Sequence, residues 1–459
     1  MTSPCDLTAA ALLAAYRARQ LSPVDVVRAC LDRAAAQDKR LNAVLCRAGE
    51  MALQIAQRAE TRWKDGSAGL LEGIPFGLKD VIETGDMPTT YGTKGLVGPR
   101  RDAEVVRRLK AAGAIPLFKL QTNEIAFGAV QNPHNGSVAN PWNAARMAGG
   151  SSSGSGAAVA AGYVPLALGT DTGGSVRSPS AYCGITGLKP TSGLLPVSGI
   201  SAVAPNLDAV GPMARSAEDI GLAMAALTAT GSASGSSAAI IRTTDSLKGI
   251  RIGVVEGWAF DVLEPDVDRL SRAAIQDLAR LGAQVSPAAD TRLDLAWQAG
   301  WIIMIAESSG EYVDHLRHGA AVDPSLRVRL WSGTLISSTD YLAARRVQDR
   351  LVAGLPNVFA QHDVLVLPTS VTAAPGVAAT AVKLNGKEYP RIDIATRLTI
   401  GANVLGVPAL TLPCGFDRDG LPVGLQFLGP RNGEAKVIAV AQAYQAATDF
   451  HQLRPAAHA

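Results

Sequence analysis

Residues 149–190 read GGSSSGSGAAVAAGYVPLALGTDTGGSVRSPSAYCGITGLKP and contain two clusters of serine and glycine, at 149–154 and 173–175. The small residues between the clusters predict a helix over 155–162, and the apolar residues 164–168 predict a short buried strand. Glycines beside serines leave backbone N–H groups uncovered and allow a hydroxyl to approach another group closely. Acyl transfer needs this combination, because its nucleophile must lie beside donors that bind an oxyanion.

An upstream lysine is the candidate base. Residues 73–80, GIPFGLKD, place Lys79 among apolar residues. Burial disfavours the charged form of a lysine and can bring its pKa down towards neutrality. Histidine is the commoner base for a serine hydroxyl, but of the six histidines only His134 lies among the motifs. The sequence therefore favours lysine.

These three pieces together resemble the amidase signature family. The family pattern is a GGSS-type cluster, a T-G-G-S serine about two dozen residues later and an upstream lysine in G-[IV]-P-x-x-x-K-D, and all three occur here in order. The resemblance extends from about residue 7 to about residue 442, with further family-like segments at 132–134, 140–142, 187–191, 211–215, 406–409 and 420–426. It implies an α/β fold with a large mixed, mostly parallel β-sheet sandwiched between helices.

The resemblance also implies a role for each member of a catalytic triad. Ser175 is the expected nucleophile, Lys79 the base, and Ser151 the relay that passes the proton between them. In the family this bridging serine carries a cis peptide bond. The oxyanion hole is expected from the backbone N–H groups of Thr172, Gly173, Gly174 and Ser175.

The residues expected to support the triad are Ser152, Thr170, Asp171 and Arg177. Arg177 could bind a substrate carboxylate through two hydrogen bonds, but an internal ion pair with Asp171 is the preferred interpretation. Gln131 and residues 301–305 are assigned to the substrate-binding pocket without a supporting motif.

Composition bounds the class of protein. The chain has 459 residues, 47% of them hydrophobic and 18% charged, which is typical of a globular protein. A net charge of +3 without a basic run gives no support for nucleic-acid binding. The five scattered cysteines predict reduced thiols rather than a metal site. No signal peptide is recognisable and no apolar run approaches about 20 residues, so the expected location is cytoplasmic, without a membrane.

One low-complexity stretch interrupts the chain. Residues 231–239, GSASGSSAA, predict a surface linker. Because family-like segments lie on both sides of it, we expect a single domain over 1–459. Its parts are a helical N-terminal segment at about 1–60, a signature core at about 65–225, a linker at about 229–246, and a variable and C-terminal part of the same fold at 247–459.

The resemblance implies an amidase, a hydrolase of C–N bonds other than peptide bonds. It would convert a linear carboxylic acid amide to carboxylate and ammonia or amine through an acyl-enzyme, without metal or cofactor. The expected partners are a small-molecule amide substrate and, as a possibility common in the family, a second copy of the chain. Neither nucleic acid nor membrane is expected.

Three alternatives stay open. The amidase subunit of a glutamine-dependent tRNA amidotransferase shares all three motifs, although its S-x-N-L-x-R-Y-D-G stretch is replaced here by ESSGEY at 307–312. A catalytically silent binding protein on the same scaffold would not need an intact triad. Residues 150–154 also match the G-x-S-x-G nucleophile elbow, which would make Ser152 the nucleophile and require a late histidine such as His362 or His451.

Overall fold

The computed structural model describes residues 3–94, 97–98, 100–128, 132–229, 246–289, 291–319 and 322–456. Its strands are β1 (Val44–Arg47), β2 (Pro75–Lys79), β3 (Ile115–Leu120), β4 (Leu166–Asp171), β5 (Thr186–Lys189), β6 (Ala209–Ala214), β7 (Arg251–Val254), β8 (Gln284–Pro287), β9 (Val364–Pro368), β10 (Ala381–Leu384), β11 (Lys387–Pro390), β12 (Ala409–Phe416) and β13 (Pro422–Leu428).

The α-helices are α1 (Ala9–Arg17), α2 (Pro23–Leu41), α3 (Gly49–Asp65), α4 (Glu104–Ala111), α5 (Ser153–Ala160), α6 (Arg177–Cys183), α7 (Ala217–Thr228), α8 (Pro265–Arg280), α9 (Leu293–Arg317), α10 (Pro324–Gly333), α11 (Ser338–Gln361), α12 (Arg391–Ile394), α13 (Ile400–Val404) and α14 (Glu434–Ala446). Short 3-10 helices occur at Pro4–Asp6, Glu124–Ala126, Gly257–Ala259 and Phe450–Gln452.

Eleven strands form one sheet in the order β1-β3-β2-β4-β6-β5-β12-β13-β9-β7-β8, and β10 and β11 form a separate hairpin. The expected large mixed sheet between helices is confirmed. Parallel pairing occurs where β2 meets β3 and β4, and where β7 meets β8 and β9. The other neighbours in the described sheet pair antiparallel, so antiparallel pairing is more frequent than the sequence analysis expected.

The sheet crosses the predicted linker, because β5 pairs with β12. Strands from either side of residues 229–246 therefore share one hydrogen-bonded sheet. Most of the linker itself, residues 230–245, lies outside the described residues. The division of the chain into parts stays a prediction.

The two serine and glycine clusters are positioned by β4 and α5. The helix predicted over 155–162 occupies Ser153–Ala160 and is buried along its whole length. Its glycines allow this, since a Cβ at Gly154 would lie 2.4 Å from the backbone nitrogen of Gln121. The predicted strand at 164–168 runs later, through Thr170 and Asp171, which pair with Val210 and Ala209 of β6.

The register of β2 against β4 brings the lysine motif to the same place. These strands run parallel, with Phe76 opposite Leu166 and Leu78 opposite Leu168. Because the carboxyl ends of parallel strands meet at one edge of a sheet, Lys79 at the end of β2 lies beside the end of β4. Helix α5 packs against both strands.

The second N-terminal helix begins at a capped first turn. Helix α2 begins at Pro23, and the hydroxyl of Ser22 accepts a hydrogen bond from Val24 N–H at 3.1 Å. This is the N-cap and first-turn proline pattern visible in the sequence. Among the helices of the described ranges, none is both long and apolar enough to cross a membrane. A cytoplasmic location stays a prediction.

Candidate active site

Lys79 is fully buried at the end of β2. Its Nζ donates hydrogen bonds to Ser151 Oγ at 2.7 Å and to Thr170 Oγ1 at 2.7 Å. Burial lowers the pKa of this amine to about 7, against the opposing influence of the Asp171 and Asp208 charges. The lysine therefore has a substantial neutral fraction near neutral pH, as the sequence analysis expected of a buried base.

Ser151 follows a cis peptide bond, Gly150–Ser151, as the family resemblance implied. Its side chain is in hydrogen-bond contact with the lysine, and its residue is only 3% exposed. The next residue joins the two serine clusters, because Ser152 N–H donates to the Ser175 carbonyl at 3.2 Å. The expected relay serine and the expected nucleophile are thus held on adjoining loops.

The hydroxyl of Ser152 faces the backbone of Thr170. It donates to the Thr170 carbonyl at 3.2 Å and accepts from Thr170 N–H at 3.3 Å. Ser152 is fully buried, and it is not among the residues that line the adjacent cavity. Neither His362 nor His451 is a lining residue. This geometry gives no support for the nucleophile-elbow alternative.

Ser175 lies on a loop that is built around the Asp171 carboxylate. This carboxylate accepts hydrogen bonds from Gly174 N–H at 2.8 Å and Val176 N–H at 3.1 Å. It also pairs with Arg177, with Nη2–Oδ1 at 2.9 Å and Nε–Oδ2 at 3.1 Å, and both side chains are fully buried. The predicted ion pair between Asp171 and Arg177 is confirmed. Burial would raise the pKa of Asp171, but Arg177 and Asn403 outweigh it and hold that pKa below its ordinary value.

Two residues distant in sequence complete this network. Asn403 Nδ2 donates to both the carbonyl and Oδ1 of Asp171 at 2.9 Å, while its Oδ1 accepts from Arg177 at 2.7 Å. Gln426 Oε1 accepts from Arg177 Nη1 at 3.1 Å. The family-like segment at 420–426 indicated Gln426 without its role, whereas no motif indicated Asn403.

The expected oxyanion donors need one correction. The N–H of Gly174 is already bonded to Asp171, which leaves the N–H groups of Thr172, Gly173 and Ser175 as the candidates. Gly174 is still required as glycine, because its φ is 123° and a Cβ there would lie 2.3 Å from Thr399 Oγ1.

A cavity of about 170 Å³ opens beside the two loops. Its lining includes Ser151 and Ser175, together with Thr172, Gly173 and Gly174. Apolar side chains form much of the remaining wall, among them Phe127, Met147, Trp301, Met304, Val371 and Ile394. The predicted contribution of 301–305 is thus present through Trp301 and Met304. Gln131 lies outside the described residues, and its assignment stays a prediction.

The family model described as Amidase matches residues 25–438. The chain belongs to the amidase signature family. Members of this family hydrolyse C–N bonds, and the three motifs of the sequence lie together in the structure as the resemblance implied.

Relatives and solved structures within the amidase signature family cover nearly the whole chain. A glutamyl-tRNA(Gln) amidotransferase subunit from Chloroflexus aggregans is 37% identical over 99% of both chains. The protein of the same name from Cyanothece sp. is 35% identical over 95% of this chain and 97% of its own.

Among solved structures, one from a study of an s-triazine catabolic enzyme has a TM-score of 0.89 at 31% identity and covers 96% of this chain and 98% of its own. Peptide amidase from Stenotrophomonas maltophilia has a TM-score of 0.80 at 30% identity and covers 96% of each chain.

These names correct the expectation about partners. A small-molecule substrate without nucleic acid was expected, whereas several similar proteins are named as one component of an enzyme that acts on tRNA. The expectation relied on the net charge of +3. Surface charge reports on phosphate contacts that one chain makes itself, and it carries no information about the substrate of an assembly.

Proposed function

We propose that the chain hydrolyses a carboxylic acid amide through an acyl-enzyme on Ser175, with Ser151 as proton relay and Lys79 as base. The supporting observation is the contact between a buried amine, whose pKa lies at about 7, and Ser151 Oγ at 2.7 Å, beside a cavity that Ser175 also lines. A neutral amine can draw a proton through one hydroxyl from another.

In the first step, Ser175 Oγ forms a bond to the amide carbon. Its proton passes to Ser151, and the proton of Ser151 passes to the neutral Nζ of Lys79. The carbonyl oxygen becomes an oxyanion, which the N–H groups of Thr172, Gly173 and Ser175 bind. Losing one such donor typically costs about 3–4 kcal/mol of barrier.

In the second half, the C–N bond breaks and its electron pair stays on nitrogen. The proton held on Lys79 returns through Ser151 to that nitrogen, which leaves as ammonia or amine. Water then attacks the acyl-enzyme and loses a proton along the same relay. The ester bond then breaks, and the proton on Lys79 returns through Ser151 to Ser175 Oγ. The acid product leaves as the carboxylate after releasing its own proton to solvent.

The names of the curated relatives favour one setting for this chemistry, the amidase component of a tRNA amidotransferase. These relatives share 35–37% identity with nearly the full chain. In this setting, the amide is that of glutamine, and the released ammonia is used on glutamyl-tRNA. The test is ammonia release from glutamine, and amidation of glutamyl-tRNA(Gln), with and without the other amidotransferase subunits of Chloroflexus aurantiacus. Activity that needs those subunits supports this setting, and turnover that is indifferent to them contradicts it.

A second candidate is an amidase that works alone on a linear, non-peptide amide. Two observations favour it. Residues 307–312 lack the stretch typical of the tRNA amidotransferase, and Glu307 in this segment bonds instead to Asn206 Nδ2 at 2.6 Å and Tyr341 OH at 2.8 Å. The described cavity wall also contains no carboxylate that could pair with the ammonium of glutamine.

The chemistry itself is tested by alanine variants in a panel of primary amides. Ser175→Ala should abolish ammonia release. Ser178→Ala, a neighbouring serine on the same cavity wall, is the matched control and should retain turnover. Ser152→Ala distinguishes the elbow alternative, because that alternative requires complete loss with this variant and turnover with Ser175→Ala.

A further inference from the structure

Two arginines line the same cavity as Ser175. Arg329 comes from α10, and Arg391 is the first residue of α12. Both are half-buried. They are separated in sequence from the serine clusters and belong to no motif, so the proposed mechanism makes no use of them.

Neither arginine is held in an ion pair within the part of the chain that the structure describes. Arg329 Nη1 donates to the Phe127 carbonyl at 2.6 Å, and its guanidinium lies 4.8 Å from the centre of the Phe127 ring. Arg391 Nε donates to the Ala379 carbonyl at 2.9 Å, and its Nη1 contacts Met147 Sδ at 3.8 Å. No ion pair with a carboxylate is formed by either side chain among these residues.

The two charges also act on each other. Burial, followed by the charge of Arg391, lowers the pKa of Arg329, and the more weakly acting charge of Asp323 opposes this. Keeping two like charges at one cavity without a directly paired carboxylate is unfavourable. The cost falls when an anion enters between them. Each guanidinium has five N–H donors, and the contacts above leave donors available on both.

The rest of the described wall carries no compensating charge. Its polar members are serine, threonine, asparagine and tyrosine side chains and backbone groups, while the only ionised residues are the two arginines. An ammonium group on a bound substrate would therefore meet two positive charges and no carboxylate.

We propose that Arg329 and Arg391 together bind a carboxylate on the acyl part of the substrate, and that the enzyme prefers anionic amides without an ammonium group. This rests on the proposed acyl-enzyme chemistry, and it favours the setting in which the chain acts alone on a linear amide over the setting in which the amide is glutamine. For a primary amide, the carboxylate belongs to the acyl part, because the leaving group is ammonia and carries none. The substrate class is thus the monoamides of dicarboxylic acids.

The test uses four primary amides of similar length. Glutaramate carries a carboxylate alone, glutamine a carboxylate and an ammonium, valeramide neither, and 4-aminobutyramide an ammonium alone. Binding is measured by calorimetry to the Ser175→Ala variant, so that no turnover is required. Glutaramate should bind about 10- to 100-fold more tightly than valeramide, the effect expected of hydrogen bonds to a charged group. It should also bind more tightly than glutamine, and 4-aminobutyramide should bind least.

Arginine variants made in the Ser175→Ala protein show whether these two residues cause the preference for glutaramate. Arg329→Met and Arg391→Met should each weaken glutaramate binding at least tenfold and leave valeramide binding nearly unchanged. Arg329→Lys should bind glutaramate more tightly than Arg329→Met does, because lysine keeps the positive charge. Arg350→Met, at an exposed position of α11, is the matched control, and thermal melting verifies that each variant folds.

Equal binding of glutaramate and valeramide would overturn the inference, as would variants that weaken all four amides equally. Binding of glutamine as tight as that of glutaramate would overturn the proposed preference for amides without an ammonium group. Turnover by the chain with an intact Ser175 is measured separately. Serine-dependent hydrolysis without a charge preference refutes only this inference, whereas a charge preference in binding without any hydrolysis refutes only the proposed function.

Discussion

Replacing Lys79 by methionine should make the stability of the protein less dependent on pH between 7 and 10. Methionine fills a similar volume and cannot ionise. In the wild type, the amine is fully buried, and its pKa falls from an ordinary 10.5 to about 7 because of burial. Between these values the unfolded chain binds a proton at this lysine and the folded chain does not.

The sign and the size of the effect on stability follow from this difference in bound protons. Because the unfolded state binds more protons between pH 7 and 10.5, wild-type stability rises with pH through this window. It reaches its full value above pH 10.5, and below pH 7 the whole penalty of burying a charged amine is present. The gap between the two pKa values corresponds to about 5 kcal/mol. The unfolding constant of the wild type, divided by that of the variant, should fall by about tenfold for each pH unit within the window.

Guanidinium chloride titrations at pH 6.5, 7.5, 8.5 and 9.5, monitored by circular dichroism, measure this difference. Other buried lysines cancel because both proteins contain them. The hydroxyls of Ser151 and Thr170 lose their contact with Nζ, which adds an offset that does not vary with pH. Lys39→Met, at an exposed position of α2, is the control substitution. A stability difference between wild type and Lys79→Met that stays constant over this range would refute the reasoning.

Three further predictions concern the site. The kcat/KM of amide hydrolysis should fall below a pH of about 7, as the buried lysine is protonated; a profile that is flat from pH 5 to 9 contradicts this. Gly174→Ala should reduce kcat by about 100-fold, because the φ of 123° at Gly174 and the 2.3 Å approach of Thr399 Oγ1 exclude a Cβ. Unchanged steady-state kinetics of this variant would show that the loop tolerates a side chain there. Arg177→Met should destabilise the fold by about 3–5 kcal/mol, since it leaves the Asp171 carboxylate buried without its cation. Chemical denaturation measures the free energy of unfolding, and a decrease below about 1 kcal/mol would contradict the account.

The parts of the site that lie close together in sequence were predictable. The two serine clusters flank one helix and one strand, so their neighbours in the chain are also their neighbours in space. The apolar residues around Lys79 indicated its burial, because the run GIPFGL is typical of a core strand. The ion pair of Asp171 with Arg177 was equally accessible, since six positions separate its partners.

The parts that depend on tertiary contacts were not predictable. Asn403 lies 226 positions from Arg177, and only the pairing of distant segments brings them together. Hydrophobic periodicity identifies strands but not the direction in which they pair, which is why the antiparallel centre of the sheet was not expected. The engagement of Gly174 N–H by Asp171 likewise depends on loop geometry that the letters TGGS do not specify.

The most direct test of the central claim is the site and the pH dependence of covalent labelling by a fluorophosphonate, which requires no knowledge of the substrate. Tryptic peptides analysed by mass spectrometry should carry the label on Ser175. The labelling rate should rise with pH along a single ionisation at about 7, and Lys79→Met should label far more slowly and without that ionisation. Label on Ser152, or a wild-type rate that is constant from pH 5 to 9, would contradict the account.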